Sequence, residues 1–168
     1  DRAAVGEVPV PSLLSLGCVH NHLIRVGLRM NADLVVETGD AINAHDFACL
    51  VGYSASGIYP YMAHECIADL CEKGAIELPV KEAQANYDRA VTAGIVSIMS
   101  KMGISTMQGY HSAQIFEVLG LSDDLVERYF TGCRRPPHRR HRAPAQPRDG
   151  PGGGGHAPCQ RVRGQDPG

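Results

Sequence analysis

The stretch Asp33-Leu-Val-Val-Glu-Thr38 decides the fold class, because it is a short apolar run with three β-branched residues. Asn31 lies before it and the turn-forming pair Gly39-Asp40 follows it. A short apolar run between turn residues is typical of a strand in a parallel sheet. We therefore predict a strand over residues 33–38, buried on both faces.

Helical patterns surround this strand. Apolar residues at helical spacing predict a helix over 11–29, and Phe47, Leu50 and Val51 predict a short one that stops near Gly52 to Gly57. Residues 58–61 form a second strand or a strand-to-helix corner. Further helices are predicted over 62–73, ending at Gly74; over 81–102, the strongest periodicity in the chain; over 111–119, closed by Gly120; and after the capping residue Ser122. The alternation favours an α/β class, helix-rich and with too few strands for a complete domain, as in a piece of a larger one.

Charge divides the chain into two parts. Residues 1–132 hold sixteen acidic and eight basic residues, whereas 133–168 hold eight Arg and two Asp. The second part also has seven Gly, seven Pro and no Ile, Leu, Met, Phe or Tyr. Such a composition buries too little apolar surface to offset the entropy of ordering. We expect 1–132 to be the folding unit and 133–168 to be a disordered tail.

Composition also excludes several classes. No apolar run approaches the roughly 18 residues of a membrane span, so no membrane contact is expected. No signal peptide is visible, and because the first residue is Asp1 we expect the true N-terminus to be missing. Aromatic residues make up 5% and Trp is absent, which argues against a stacking platform for nucleic acid. We expect a cytoplasmic protein.

The cysteines do not predict a metal or redox motif. They stand at 18, 49, 66, 71, 133 and 159, and no spacing matches a zinc ribbon or a CxxC pair. Four of them have apolar sequence neighbours, where a free Cys behaves as a small hydrophobic residue. We expect reduced thiols in a cytosolic protein.

Two groups of polar residues are candidates for chemistry. Cys18-Val-His-Asn-His22 contains good zinc ligands, but on a helix His20 and His22 are about 200° apart and cannot share one ion. Glu37 and Asp40 flank the end of the strand, and with His45 and Asp46 they could form an acid/base cluster. The interpretation we favour is that Asp40 turns the chain and caps the following helix.

Three weaker candidates follow in the chain. Met99, Met102 and Met107 are interpreted as core filling rather than as a cofactor box. Residues 103–109 have glycines and hydroxyls near a helix start but lack phosphate-loop spacing. The run Arg134-Arg-Pro-Pro-His-Arg-Arg-His-Arg142 would suit RNA or an acidic partner, or is an artefact of the reading frame.

Several ordered blocks of residues 1–132 resemble a known family, the large chain of glutamate synthase in its central region. The blocks are Pro9-Val-Pro-Ser-Leu-Leu14, Val19-His-Asn-His-Leu-Ile24, Leu34-Val-Val-Glu-Thr-Gly39, Ala44-His-Asp-Phe-Ala48, Val51-Gly-Tyr53, Tyr59-Pro-Tyr-Met-Ala63, Met99-Ser-Lys-Met-Gly-Ile-Ser-Thr106, Ala113-Gln-Ile-Phe-Glu117 and Tyr129-Phe-Thr-Gly132. The sequence departs from the family pattern at Asn21 and Asp46, where the family commonly has His. It also departs at Gly109-Tyr-His-Ser-Ala-Gln114, where the family has Ser-Tyr-Arg/Lys-Gly-Ala-Gln.

The resemblance implies a part of a large flavoenzyme. Such an enzyme converts glutamine and 2-oxoglutarate into two glutamates with electrons from NAD(P)H or ferredoxin. The central region is expected to be an incomplete, barrel-like α/β piece that connects an amidotransferase domain to an FMN domain. FMN and a [3Fe-4S] cluster are expected in the parent chain and none in this segment, a reductase small subunit or ferredoxin as its partner, and no catalytic, cofactor-binding or metal residue here.

Two other functions remain open. One is a small stand-alone binding module whose Arg-rich tail contacts RNA or acidic partners. The other, ranked lowest, is a small metal enzyme that uses His20, His45 and His64.

The tail invites an explanation at the level of codons. After Tyr-Phe-Thr-Gly the family continues Thr-Pro-Ser-Arg-Ile-Glu/Asp-Gly-Ile-Gly, and this chain does not. One possible set of codons for residues 138–143, CAT-CGA-CGG-CAT-CGG-G, encodes Ile-Asp-Gly-Ile-Gly when it is read one base later. We therefore expect residues from about Cys133 onward to be a frameshifted translation.

Overall fold

The computed structural model describes residues 1–2, 5–113 and 115–133. The expectations for the Arg-rich tail from residue 134 lie outside these residues. Six helices and two strands follow one another in chain order. They are α1 (Ser12–Arg25), β1 (Val35–Glu37), α2 (Ala44–Gly52), β2 (Gly57–Tyr59), α3 (Tyr61–Glu72), α4 (Val80–Met102), α5 (Met107–Tyr110) and α6 (Asp123–Tyr129), with a 3-10 turn at Arg29–Asn31 between α1 and β1.

The two strands form a parallel sheet. Val35 pairs with Gly57, Val36 with Ile58 and Glu37 with Tyr59, and α2 makes the connection between the strands. This β1–α2–β2 unit is the parallel crossover expected of an α/β fold. The described residues are thus a helix-rich α/β piece with a small sheet, as predicted.

The strand is not buried on both faces. Leu34 and Val36 pack into the core, but Val35 on the other face is 73% exposed and Tyr59 beside it is 51% exposed. Helices α1, α2 and α4 all contribute to the core on the Leu34 and Val36 face. The prediction of a doubly buried strand is wrong for this chain because no described element covers the second face.

Helix ends follow the backbone conformation of glycines. The first helix ends at Arg25 rather than at residue 29, because Gly27 has a φ of +74° and leads the chain out of the helix. The long helix α4 begins after Pro79 and ends at Gly103, with a φ of +71°, within a residue of the predicted 81–102. The predicted helix over 111–119 is wrong for the described residues of that range, since α5 lies at Met107–Tyr110 instead.

The last helix docks on the first at a glycine. A Cβ added to Gly17 in α1 would lie 2.6 Å from the carbonyl oxygen of Tyr129 at the end of α6. Asn21, one turn further along α1, donates from Nδ2 to that oxygen at 2.8 Å. Arg25 donates to the carbonyl oxygen of Arg128 at 2.6 Å. Close approach at Gly17 therefore allows two side chains of α1 to hold the end of α6.

Candidate functional site

The carboxyl end of β1 is held by a compact polar cluster. Thr38, fully buried, shares a hydrogen bond of 2.6 Å between its hydroxyl and that of Ser12. Asp40 Oδ2 accepts from the Ser12 hydroxyl at 2.9 Å and from the Ser12 backbone N–H at 3.1 Å. Asp40 N–H in turn donates to the Thr38 hydroxyl at 3.0 Å. The cluster fixes the start of α1 at the carboxyl end of β1.

The acid/base hypothesis does not survive this geometry. Asp40 caps α1, the preceding helix, and not α2 as expected; Asn43 caps α2, and Asp46 completes a capping box by accepting from the Asn43 N–H at 3.0 Å. Glu37 forms an ion pair of 2.6 Å with Arg2, and both side chains are exposed. Glu37 lines a groove other than the one that Asp40 and Asp46 line. The carboxylates that the sequence places near one another are thus each committed to a separate structural contact.

A groove of about 560 Å³ opens beside this cluster, lined by residues that include Asp40, His45 and Cys49. His45 Nε2 lies 3.6 Å from Cys49 Sγ, a Cys–His pair of the kind that can generate a nucleophile. Here burial, with a smaller contribution from Asp46, raises the pKa of the Cys49 thiol to about 11. A thiol that remains protonated at neutral pH is a poor nucleophile.

A second polar network joins α1 to the chain after β2. Arg29 Nε donates to His20 Nδ1 at 3.0 Å, and His20 Nε2 lies 3.4 Å from the Ser112 hydroxyl. Burial and the charge of Arg29 lower the pKa of His20, which favours its neutral ring. Because Nδ1 accepts from Arg29, the proton of that ring lies on Nε2. That nitrogen can donate to Ser112 but cannot take its proton. The network tethers the chain and does not activate the serine.

Backbone strain is concentrated in the same network. Ser112 has a φ of +57°, and Ser54, whose hydroxyl contacts that of Ser112, has a φ of +78°. Arg29 also donates to the Ser54 carbonyl oxygen at 3.1 Å. Ser112 stands where the family pattern quoted above has Gly, the residue that adopts this conformation without steric cost.

The other histidine of the metal hypothesis lies elsewhere. His64 Nε2 is 2.9 Å from Asp88 Oδ1, which joins α3 to α4, and the edges of Tyr59 and Tyr87 approach its ring. Among residues 1–2, 5–113 and 115–133, no three His, Cys, Asp or Glu side chains form a group able to hold a metal ion. The structure therefore does not bring His20, His45 and His64 together.

The cysteines and methionines depart from expectation in part. Cys18 and Cys66 are exposed, so the expectation of apolar surroundings is wrong for them; the five described cysteines are free. Met99 is buried in the core, as interpreted, whereas Met102 and Met107 are largely exposed. In the 103–109 loop, the Thr106 hydroxyl accepts from the Gly109 N–H at 3.2 Å and thereby caps α5.

Sequence reasoning missed Tyr110. Its side chain is completely buried in a cluster with Ala48, Val51 and Met99, and its hydroxyl has no hydrogen-bond partner among the described residues. Burial raises the pKa of this hydroxyl, and nearby Cys49 makes a smaller contribution in the same direction. No pattern in the sequence signals the burial, because Tyr110 lies in a short helix between two polar turns.

These contacts define the class of the molecule. It is a helix-rich α/β segment in which the polar groups at the carboxyl end of the sheet cap helices and join elements. No helix in the described part of the chain combines the length and apolar character that crossing a bilayer requires.

Comparison with known proteins identifies the family. The family model described as glutamate synthase central domain matches residues 1–122, and the chain belongs to this family. It is similar to the glutamate synthase [NADPH] large chain of Bacillus subtilis (45% identity, over 74% of this chain and 8% of the relative). It is also similar to the ferredoxin-dependent glutamate synthase of Pyropia yezoensis (47%, 75% and 9%) and to the glutamate synthase [NADH] of Saccharomyces cerevisiae (40%, 78% and 6%). The chain thus spans less than a tenth of the length of these relatives.

Proposed function

We propose that this chain is a segment of the large polypeptide of a glutamate synthase, an oxidoreductase that converts glutamine and 2-oxoglutarate into two glutamates. The observation that supports the proposal is the family match across residues 1–122, together with relatives of 40–47% identity that are named glutamate synthases. Because the chain spans less than a tenth of each relative, the activity belongs to the whole polypeptide and not to this part.

Within that polypeptide the segment serves as the structural connector between the amidotransferase and FMN domains and is inactive alone. Its internal hydrogen bonds support this role. Asp40 is used to cap α1, His20 is held by Arg29, and the Cys49 thiol stays protonated. Asp40 and His20 are thus occupied in holding one element of the segment to another, and the Cys49 thiol is a poor nucleophile.

The cofactors of the parent enzyme, FMN and a [3Fe-4S] cluster, are held by other parts of it in this proposal. An iron–sulfur cluster needs several converging thiolates, and no such group forms among the described residues. The relatives carry NADPH, ferredoxin and NADH in their names at similar identity to this chain. The identity of this segment to its relatives therefore does not depend on the electron donor in their names. The reductase subunit or ferredoxin would bind elsewhere. The location proposed for the parent is the cytoplasm.

Residues 1–132 are proposed as the C-terminal part of the central domain, and 133–168 as a frameshifted translation. The support is the shifted reading of residues 138–143 as Ile-Asp-Gly-Ile-Gly, which restores the family pattern. The binding-module alternative depends on the tail beyond the described residues, and the relatives give it no support.

A chimeric enzyme tests the function. Residues 1–122 replace the aligned segment of the Bacillus subtilis large chain, and glutamate formation from glutamine and 2-oxoglutarate is measured with NADPH and the reductase subunit. We expect the chimera to form glutamate at a rate within about tenfold of the parent, because a 45% identical connector preserves the fold. The isolated 168-residue chain is expected to form none.

Two matched variants test the connector role in the same chimera. His45→Ala and Cys49→Ser remove the Cys–His pair beside the groove while leaving the caps of α1 and α2 in place. Both are expected to leave kcat unchanged. A well-folded chimera without activity would contradict the family role, and a loss of about 100-fold or more in either variant would show that the segment takes part in chemistry.

A further inference from the structure

We infer that the free edge of β1 binds one further parallel strand, supplied by the parent polypeptide on the N-terminal side of Asp1. This inference rests on the proposed function, because the strand belongs to the part of the large polypeptide that precedes this segment. It extends that function by naming the surface through which the segment is built into the larger domain.

The first observation is the unpaired edge itself. Thr38 N–H donates to the Tyr59 carbonyl oxygen at 3.0 Å, and the Leu34 carbonyl oxygen accepts from Ser56 N–H at 2.8 Å. Successive residues of a strand direct their backbone groups to opposite sides, so Leu34, Val36 and Thr38 face β2. The N–H and C=O groups of Val35 and Glu37 therefore point away from β2, toward an edge that no described strand covers.

The second observation is a groove along that edge. A cavity of about 270 Å³ runs between α1 and β1, lined by Ser15, Leu16 and Val19 on the helix and by residues 34–37 on the strand. Val19 is 47% exposed, so the groove has exposed apolar surface on its α1 side. A strand laid in the groove would pair with β1 and cover this surface.

The third observation is the direction of α1. Ser12 at its start bonds to Thr38 and Asp40 at the carboxyl end of β1, and its last turn leads through Arg29–Asn31 back to the start of β1. The helix therefore runs antiparallel to β1, as crossover helices do. A strand that ends where α1 begins must run parallel to β1.

The hand of the crossover selects the edge. Helices α1 and α2 pack on the same face of the sheet, the face of Leu34 and Val36. Since β–α–β connections are right-handed, two successive helices on one face carry the chain in one direction across the sheet. A strand before α1 thus lies beside β1 on the side opposite β2, which is the side of the groove.

The position of the first residues agrees. Asp1 lines the groove and its carboxylate accepts from the Gly39 N–H at the carboxyl end of β1. In a polypeptide of the relatives' length, the residues that precede Asp1 reach it beside this groove, at the carboxyl end of β1. The tail from residue 133 is a poor occupant, because it has seven Pro and one β-branched residue.

Amide hydrogen exchange in the chimeric enzyme tests the inference. In the isolated chain, the amides of Val35 and Glu37 are expected to exchange at least about tenfold faster than those of Val36 and Thr38, which bond to β2. In the chimera, which contains the preceding polypeptide, the amides of Val35 and Glu37 are expected to slow by about tenfold or more. Equal exchange of these two amides in both proteins would overturn the inference.

A proline variant serves as a matched control. Val35→Pro removes only an N–H that faces the groove, and Val36→Pro removes one that faces β2. The first is expected to abolish the added protection of Glu37 in the chimera and to leave the isolated chain's Val36 and Thr38 amides protected. Protection of Val35 in the isolated chain that rises with its concentration would show that a second copy occupies the edge, and would overturn the inference.

The two proposals fail separately. If the chimera forms glutamate while the amides of Val35 and Glu37 exchange freely, the proposed function is supported and the added strand is refuted. If the folded chimera protects both amides but forms no glutamate, the added strand is supported and the proposed function is contradicted.

Discussion

Replacing Gly17 by Ala tests the docking of α6 on α1. In an exposed helix interior, Ala is more favourable than Gly by about 1 kcal/mol. At this position a Cβ would lie 2.6 Å from the Tyr129 carbonyl oxygen and 3.2 Å from Cε1 of Phe130. Relieving the first contact requires a displacement of roughly 0.4–0.8 Å, and overpacking of this kind costs about 1–3 kcal/mol.

The displacement also affects a hydrogen bond. The same Tyr129 oxygen accepts from Asn21 Nδ2 at 2.8 Å, and losing such a bond costs about 1 kcal/mol. The three contributions together give a net destabilisation of about 1–3 kcal/mol for Gly17→Ala. We expect this value from urea unfolding of the 168-residue chain followed by circular dichroism.

Two controls separate the contributions. Ser15→Ala lies on the exposed side of α1 and is expected to stabilise by up to about 0.5 kcal/mol, from helix propensity alone. Asn21→Ala is expected to cost about 1 kcal/mol alone and much less in the Gly17→Ala background, where the bond is already weakened. Stabilisation by Gly17→Ala, or full additivity of the two substitutions, would refute the close approach of α6.

Three further substitutions or reagents address the polar network and the buried groups. Ser112→Gly is expected to be more stable than Ser112→Ala by about 1 kcal/mol, since both lose the hydroxyl but only Gly adopts a φ of +57° freely; equal midpoints in urea would contradict this. Tyr110→Phe removes a buried hydroxyl without a described partner and is expected to change the unfolding free energy by less than about 0.5 kcal/mol or to raise it; a loss above about 1 kcal/mol in thermal unfolding would reveal a partner. Alkylation by iodoacetamide at pH 8 is expected to modify exposed Cys18 well before Cys49, as mass spectrometry would show. Because the pKa of Cys49 is raised to about 11, its contribution to stability is present below its unfolded pKa and is lost as the pH rises toward 11, an effect that Cys49→Ser should remove.

Local sequence patterns predicted the elements whose ends are set by residues next to them, such as a glycine with a positive φ. Helix α4 was predicted to within a residue, because its apolar periodicity is followed by Gly103, which has a positive φ. The strand over 33–38 was predicted in place and observed over Val35–Glu37. Its exposed second face could not be predicted, since burial depends on which elements pack over the sheet and not on the strand's own composition.

The polar cluster shows a different limit. The sequence places Asp40 between β1 and α2 and so suggested a cap for α2. The Asp40 carboxylate instead binds Ser12, which is 28 residues earlier in the chain. Such a contact depends on α1 returning to the carboxyl end of β1, which local spacing does not encode. The capping box of Asn43 and Asp46 is a local motif, but from the sequence Asp46 was considered only as a candidate member of an acid/base cluster.

The helix predicted over 111–119 fails for a related reason. Ile115 and Phe116, within the predicted range, pack against the core cluster around Tyr110 from an irregular segment. The positive φ of Ser112 breaks any helix that would begin there. Tertiary packing thus used the same apolar residues in another backbone conformation.

The reading frame that follows Tyr129-Phe-Thr-Gly132 tests the central proposal, a segment of a longer synthase polypeptide, most directly. Sequencing the nucleotides from these codons through the next few hundred bases gives the answer. We expect an open frame that continues Thr-Pro-Ser-Arg-Ile-Asp-Gly-Ile-Gly. A confirmed stop after Gly168 in the printed frame would contradict it and would make the Arg-rich tail a genuine part of a separate protein.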